Sequence, residues 1–289
     1  MYIMDNRQEK IRLLALDLDG TLFNTEGKIT PASVQAICRA QEKGVHVVLA
    51  SGRDYDGMPW EQLTEVPIEY AVTTNGSAVY STKDRACLCE ECLDQEKIIP
   101  ILEYLLEKEV YISIFFDGVN YTPISCFPYV ENLDIPEYVR EALRENRNGI
   151  EDLVEYIKKE NVRIQKVTLN FQKSLAGGYL NREEVREYLK NDPNIQLVDG
   201  GFANLEFTKA GVSKALGLTF LAERLQIPME QVMAIGDSEN DIEMIETVGL
   251  GIAMGNALEH VKEIADDVTE TNEKDGVAYA IEKYIVQNQ

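Results

Sequence analysis

The chain has 289 residues, 45% of them hydrophobic, and a formal net charge of -22. That length holds one large domain or two ordinary ones with ample core, and the negative charge repels nucleic acid and anionic membranes from most of the surface. No apolar run approaches the length that spans a membrane, and a phosphorylated substrate needs a local positive site or a metal.

The opening Met1-Tyr2-Ile3-Met4-Asp5-Asn6 lacks the basic and apolar regions of a secretory leader, so the cytoplasm is the expected compartment. The asparagines of Asn75-Gly76-Ser77 and Asn120-Tyr121-Thr122 are accordingly read as coincidental glycosylation matches. Cys38, Cys87, Cys89, Cys92 and Cys126 are an odd set, which argues against a closed disulfide framework. Three of them crowd into 87–92, but with only His46 and His260 elsewhere a fourth zinc ligand is not evident.

The apolar run 11–16 stops at Asp17-Leu18-Asp19-Gly20-Thr21-Leu22. Such a run reads as a buried strand delivering two carboxylates to its C-terminal edge, where open α/β sheets bind ligands. Gly20 lets the backbone turn just past the acids. A calcium loop would need Gly at its sixth position and Glu at its twelfth, and those are Leu22 and Lys28.

Thr30, Pro31 and Gly44 frame a helix as N-cap, first residue and stop. A second buried strand, 45–50, ends in Ser51-Gly52-Arg53 and completes a βαβ unit. A third, 69–73, runs into Thr74-Asn75-Gly76-Ser77, a strong turn signal between extended segments. Arg53 is as well explained by a structural arginine as by a substrate contact.

Past residue 84 the rhythm changes. A helix over 96–107 precedes strands 110–116 and 119 onward, joined at Asp117-Gly118 as a hairpin; helices over 151–159 and 181–190 then alternate with strands 162–171, 195–198 and 202–207. This is α+β composition. After Thr208-Lys209-Ala210-Gly211 the first rhythm returns: helix 213–225, strand 231–235, Gly236-Asp237-Ser238-Glu239-Asn240-Asp241 opening a helix, then strand 249–254 with helix 257–264 and strand 267–269 with helix 276–285. The expected organisation is a core of 1–84 and 210–289 interrupted by an insert at 85–209.

These strand ends would line up Asp17, Asp19, Ser51 and Asp237 on one sheet edge, with Lys214 arriving where the insert rejoins. Carboxylates without a histidine pair point to Mg²⁺ rather than zinc. Asp237 and Asp241, four apart at a helix start, can face one site, although acids are also ordinary helix caps.

Together, Asp17-Leu-Asp19-Gly-Thr-Leu22, Ser51-Gly52-Arg53, Lys214 and Gly236-Asp237-Ser-Glu-Asn240-Asp241, in this order, closely resemble the haloacid dehalogenase (HAD) superfamily of phosphohydrolases, in its Cof-like branch with a C2-type (IIB) cap. The resemblance extends through 251–257 and 273–276; Ala215 departs from the Gly more usual after the lysine, beside the chemistry rather than at it. It implies an α/β fold with a Rossmann-like, doubly wound parallel-sheet core and an inserted α+β cap domain. It also implies Asp17 as nucleophile forming an aspartyl-phosphate, Asp19 as general acid and then base, and Mg²⁺ on Asp17, the carbonyl of Asp19 and Asp237, supported by Asn240 and Asp241. Ser51, the Gly52 backbone N–H and Lys214 would hold the phosphoryl oxygens.

The implied activity is phosphoric monoester hydrolysis on a small phosphorylated metabolite: a sugar phosphate, a nucleotide or a cofactor phosphate. No nucleic-acid or membrane partner is expected, and a monomer and a homodimer are both compatible with the sequence. A phosphomutase on the same fold is the first rival, distinguished by need for a bisphosphate activator. A phospho-accepting regulatory domain would lack Asp19 and the insert, and a binding protein that had lost catalysis would lack some of these residues. The cap residues that select the substrate are not legible, because fold and core chemistry are shared among many functions.

Overall fold

The structure, a computed structural model, describes residues 10–145, 148–200 and 203–287. The leader reading of residues 1–6 and the start of the expected strand at Phe202 lie outside them. The chain divides into two compact units, one of residues 1–52, 58–89 and 213–289 and the other of residues 53–57 and 90–212.

In the first unit, β1 (Leu13–Leu16) is followed by α1 (Pro31–Glu42), β2 (His46–Ala50), β3 (Tyr70–Thr73), β4 (Ala78–Ser81) and β5 (Cys87–Glu90). The Thr30 side chain accepts from the Ser33 N–H at 3.2 Å, and Pro31 opens α1, as the capping pattern requires.

The second unit contains α2 (Gln95–Leu106), β6 (Val110–Phe116), β7 (Val119–Pro123), α3 (Glu137–Glu145), β8 (Asn148–Ile150) and α4 (Leu153–Glu160). It continues with β9 (Lys166–Phe171), α5 (Arg182–Leu189), β10 (Ile195–Asp199) and β11 (Leu205–Lys209). Its sheet runs β10-β11-β9-β6-β7-β8, antiparallel except for the β7–β8 pair. Phe116 pairs with Val119 across Asp117 and Gly118, both at positive φ, which is the backbone a two-residue hairpin turn demands. Ile98, Leu102 and Leu105 of α2, Ile157 of α4 and Val185 of α5 form one apolar core with Ile112, Val167 and Leu169.

The first unit resumes with α6 (Lys214–Arg224), β12 (Val232–Gly236), α7 (Ile242–Thr247), β13 (Leu250–Ala253), α8 (Glu259–Ile264), β14 (Asp267–Val268) and α9 (Gly276–Ile281). Its sheet has the order β14-β13-β12-β1-β2-β3-β4-β5, parallel from β14 through β3, with β4 returning antiparallel. Alternation along β1 buries both faces. Leu14 and Leu16 pack with Ile37 of α1 and Ile281 of α9, whereas Leu13 and Ala15 pack with Leu218 and Leu221 of α6 and Met244 of α7.

This is the doubly wound core that the family resemblance implied. Three elements lay outside the expectation. The sequence 137–145 forms α3, 148–150 forms the short strand β8, and β5 joins the sheet with one exposed and one half-buried cysteine rather than an apolar run. All five cysteines are free. No helix among the described residues is long and apolar enough to cross a membrane.

Candidate active site

Because β12, β1, β2 and β3 are parallel neighbours, the residues just past their C-terminal ends share one edge. Those residues are Asp237, Asp17, Ser51 and Thr74. The central position of β1 makes Asp17 the middle of the row, buried at 4% exposure.

Lys214, the first residue of α6, reaches into this edge with its side chain fully buried. Its Nζ donates to Asp17 Oδ1 at 2.6 Å and to Asp241 Oδ1 at 2.7 Å. Asp241 Oδ2 accepts from the backbone N–H groups of Asp237 at 3.0 Å and Ser238 at 3.1 Å. Both oxygens of Asp241 are therefore occupied by donors of the chain itself. Asp17 Oδ2, in contrast, is buried with no hydrogen-bond partner.

Asp17, Asp237 and Asp241 each present a ligand atom within 4.8 Å of the others. Three carboxylates around one ammonium, when all are ionised, leave an excess of two negative charges at a largely buried edge. The electrostatics follow. Burial, then the charge of Asp241, raises the Asp17 carboxyl well above the usual carboxylate range against the pull of Lys214. Burial first, and Asp241 second, pushes Asp237 up to about 6. Burial disfavours the Lys214 ammonium, but the charges of Asp17 and Asp241 overcome it and hold its pKa above the ordinary lysine value.

A buried carboxylate oxygen without a donor, beside a second acid whose ionisation burial disfavours, fits a hard divalent cation. The cluster contains Asp17 and Asp237 of the expected metal set. Its third member is Asp241, which the expectation gave a supporting position and whose oxygens are already taken.

Asp19 lies two residues on and is exposed, close enough for its charge to act on Asp237. The crowding by anions falls on Asp17 and Asp237. Gly20 has φ +87°, and a Cβ there would lie 2.4 Å from Asp237 Oδ2, so only glycine lets the two loops meet. Ser51 is buried, with its N–H on the Val72 carbonyl at 2.9 Å. The Arg53 guanidinium donates to the Gly57 carbonyl at 3.2 Å, within the second unit.

Several contacts were not foreseen. Thr21 Oγ1 donates to Asp237 Oδ1 at 3.1 Å and orients that carboxylate. Asn240 Nδ2 donates to Asn75 Oδ1 at 3.0 Å. The loop 18–22 is held from behind: Asn256 Nδ2 donates to the Gly20 carbonyl and Asn272 Nδ2 to the Phe23 carbonyl, both at 2.8 Å. The sequence signal for these was position inside or beside the motif segments 17–22, 236–241, 251–257 and 273–276 and, for Asn75, in the turn 74–77.

A parallel α/β sheet gathers at its C-terminal edge buried acids that could hold a metal ion, a lysine and a serine. The chain belongs to the haloacid dehalogenase-like hydrolase family, whose profile matches residues 14–281, and within it to the Cof-like phosphatases. It is 33% identical over 278 residues, 96% of each protein, to the 5-amino-6-(5-phospho-D-ribitylamino)uracil phosphatase YcsE of Bacillus subtilis. It is 25% identical over 277 residues, 95% of this chain and 99% of the other, to the pyridoxal phosphate phosphatase YbhA of Escherichia coli. Among solved structures, a haloacid dehalogenase-like hydrolase from B. subtilis superposes with a TM-score of 0.80 at 27% identity, covering 94% of this chain and 99% of that one. The protein is a phosphoric monoester hydrolase.

Proposed function

We propose that the protein is a Mg²⁺-dependent phosphatase that hydrolyses a small phosphorylated metabolite through an aspartyl-phosphate on Asp17. The observation that carries this is the state of Asp17: one oxygen is held by Lys214 at 2.6 Å and the other is buried without a donor. A carboxylate so fixed is an oriented nucleophile.

Asp17 attacks phosphorus in line, the phosphorus–oxygen bond to the leaving alcohol breaks, and Asp19 delivers a proton to that oxygen. Asp19 then takes a proton from water as the water attacks the acyl-phosphate phosphorus, and Asp17 returns as a carboxylate with inorganic phosphate released. Asp19 suits this exchange because it is exposed and can trade protons with solvent. Lys214, kept as an ammonium by Asp17 and Asp241, and Ser51 with the Gly52 N–H would hold the transferring oxygens. Asp17, Asp237 and the carbonyl of Asp19 would bind Mg²⁺, with Asn240 and Asp241 fixing the loop that carries Asp237. When bound, Mg²⁺ supplies positive charge that neutralises the acids and the phosphoryl oxygens.

The insert, residues 85–209, would act as a lid that excludes bulk water and reads the leaving group, which assigns substrate choice to it. The substrates named for the two relatives, a phosphoribitylaminouracil and pyridoxal phosphate, head the panel to be tried, with sugar phosphates and nucleotides behind. The test is inorganic phosphate release from this panel and from para-nitrophenyl phosphate with Mg²⁺. Release without a bisphosphate activator, lost in Asp17→Asn, supports the proposal. Turnover that persists in Asp17→Asn removes the nucleophile assignment, and dependence on a bisphosphate makes the protein a mutase.

A further inference from the structure

The turn after β3 is more strained than a hairpin needs. Thr74, Asn75 and Gly76 all have positive φ, at 49°, 58° and 96°. A β-branched residue in that region is strained and persists only where the surroundings impose it. Hydrogen bonding by the Thr74 side chain does not explain it, because Thr74 is fully buried and its Oγ1 has no partner.

What the strain achieves is visible in the next two residues. The Asn75 N–H donates to the Ser51 carbonyl at 3.1 Å. Asn75 Oδ1 accepts from Asn240 Nδ2 at 3.0 Å, across 165 residues of sequence. Gly76 then abuts the residue before Lys214 so closely that a Cβ would fall 1.9 Å from the Ser213 carbonyl oxygen and 3.0 Å from the Lys214 nitrogen. Two consecutive residues thus touch three segments of the catalytic edge: the serine end of β2, the acidic loop after β12, and the start of α6.

We infer that Asn75 is a positioning residue for phosphoryl transfer, its backbone setting Ser51 and its side-chain oxygen setting Asn240, so that the phosphate-holding and metal-holding loops keep one register. This rests on the phosphatase proposal above. Asn75 tolerates the left-handed backbone that the double contact demands, and its 5% exposure keeps water from replacing either bond.

Asn75→Gly separates the two contributions, since glycine keeps the backbone and the N–H but deletes Oδ1. Asn75→Asp keeps an acceptor for Asn240. In Asn75→Gly we expect a melting temperature within about 3 °C of wild type and kcat on para-nitrophenyl phosphate lower by about 10-fold, the low end of what orienting partners of metal sites contribute. The Mg²⁺ midpoint in a thermal-shift titration, which needs no turnover, should rise by a similar factor. Asn75→Asp should keep that midpoint within about threefold of wild type.

An unchanged kcat and midpoint in Asn75→Gly overturns the inference, as does a loss that tracks only the fraction of folded protein. Should Asn75→Gly not fold, Asn240→Ala removes the donor of the same bond, and an unmoved Mg²⁺ midpoint there overturns it equally. A wild type that hydrolyses no ester yet shows the midpoint shift removes the phosphatase proposal and leaves the positioning one. An active wild type with an unaffected Asn75→Gly does the reverse.

Discussion

Two lysines are buried among the described residues, Lys214 in the first unit and Lys166 in the second, and their surroundings differ in charge balance. Lys166 donates to Glu206 Oε2 at 3.0 Å, with its Nζ 4.7 Å from the centre of the Phe115 ring and Thr168 Oγ1 3.4 Å from the other carboxylate oxygen. Lys166 and Glu206 link the neighbouring strands β9 and β11, and the Lys166 charge also acts on the Asp54 carboxyl. Lys214 faces two carboxylates directly and a third nearby, so its cluster keeps a negative excess and an oxygen without a donor. A buried pair that ties two strands together specifies a packing arrangement, whereas an acidic cluster at a sheet edge, with excess negative charge and an oxygen without a donor, calls for a ligand of the missing charge.

The comparison is broken most severely by removing the nucleophile. Asp17→Asn should lower turnover of para-nitrophenyl phosphate by at least about 10³-fold. The same change relieves the excess charge, so the metal-free variant should melt no lower than wild type. A large drop in melting temperature would show that Asp17 is held for stability, as Lys166 and Glu206 are. Asp19→Asn should cost about 10²- to 10⁴-fold, more on alkyl phosphates than on para-nitrophenyl phosphate, whose leaving group needs little protonation. Equal losses on both would count against an acid role.

Metal dependence sharpens the contrast next. EDTA should abolish activity and added Mg²⁺ restore it, and Asp237→Ala should raise the Mg²⁺ needed for half-activation by more than about 10-fold. Full activity in metal-free buffer would remove the role assigned to the acidic cluster.

A pH series probes the same acids. In metal-free protein the Asp237 carboxyl, raised to about 6, holds a proton that the unfolded chain has already lost. Its contribution to stability is therefore fully present below the ordinary Asp value of 3.8 and is lost as pH rises through about 6. Mg²⁺ must displace that proton, so the thermal stabilisation by a fixed Mg²⁺ concentration should be larger at pH 7.5 than at pH 5. Asp237→Asn should flatten the difference. An equal shift at both pH values in the wild type would mean that Asp237 does not ligate the metal.

The smallest effect on turnover is expected in the second unit. Glu206→Gln removes the carboxylate that the buried Lys166 ammonium donates to and should lower unfolding stability by about 3 kcal/mol. Phosphate release from para-nitrophenyl phosphate should stay within about threefold of wild type. A variant as stable as wild type but inactive would move Glu206 from the fold to the chemistry.

What the sequence determined by itself is local and periodic. The runs ending at Asp17, Ser51 and Asp237, the Thr30 cap and the Asp117-Gly118 hairpin are all encoded within a few residues, because strand alternation, capping and turn backbone depend on near neighbours. The α/β class followed from that rhythm. The edge strand β5 of the first unit's sheet escaped it because an edge strand with its cysteines turned partly to solvent needs no apolar run. Tertiary structure alone decided the pairings over long separations: Lys214 with Asp17 across 197 residues, Thr21 with Asp237 across 216, and Asn75 with Asn240 across 165. It also decided that Asp241 spends both oxygens on the chain while Asp17 keeps one without a donor. No periodicity carries such information, because hydrogen bonds are satisfied by whatever atoms the packed sheet brings within about 3 Å.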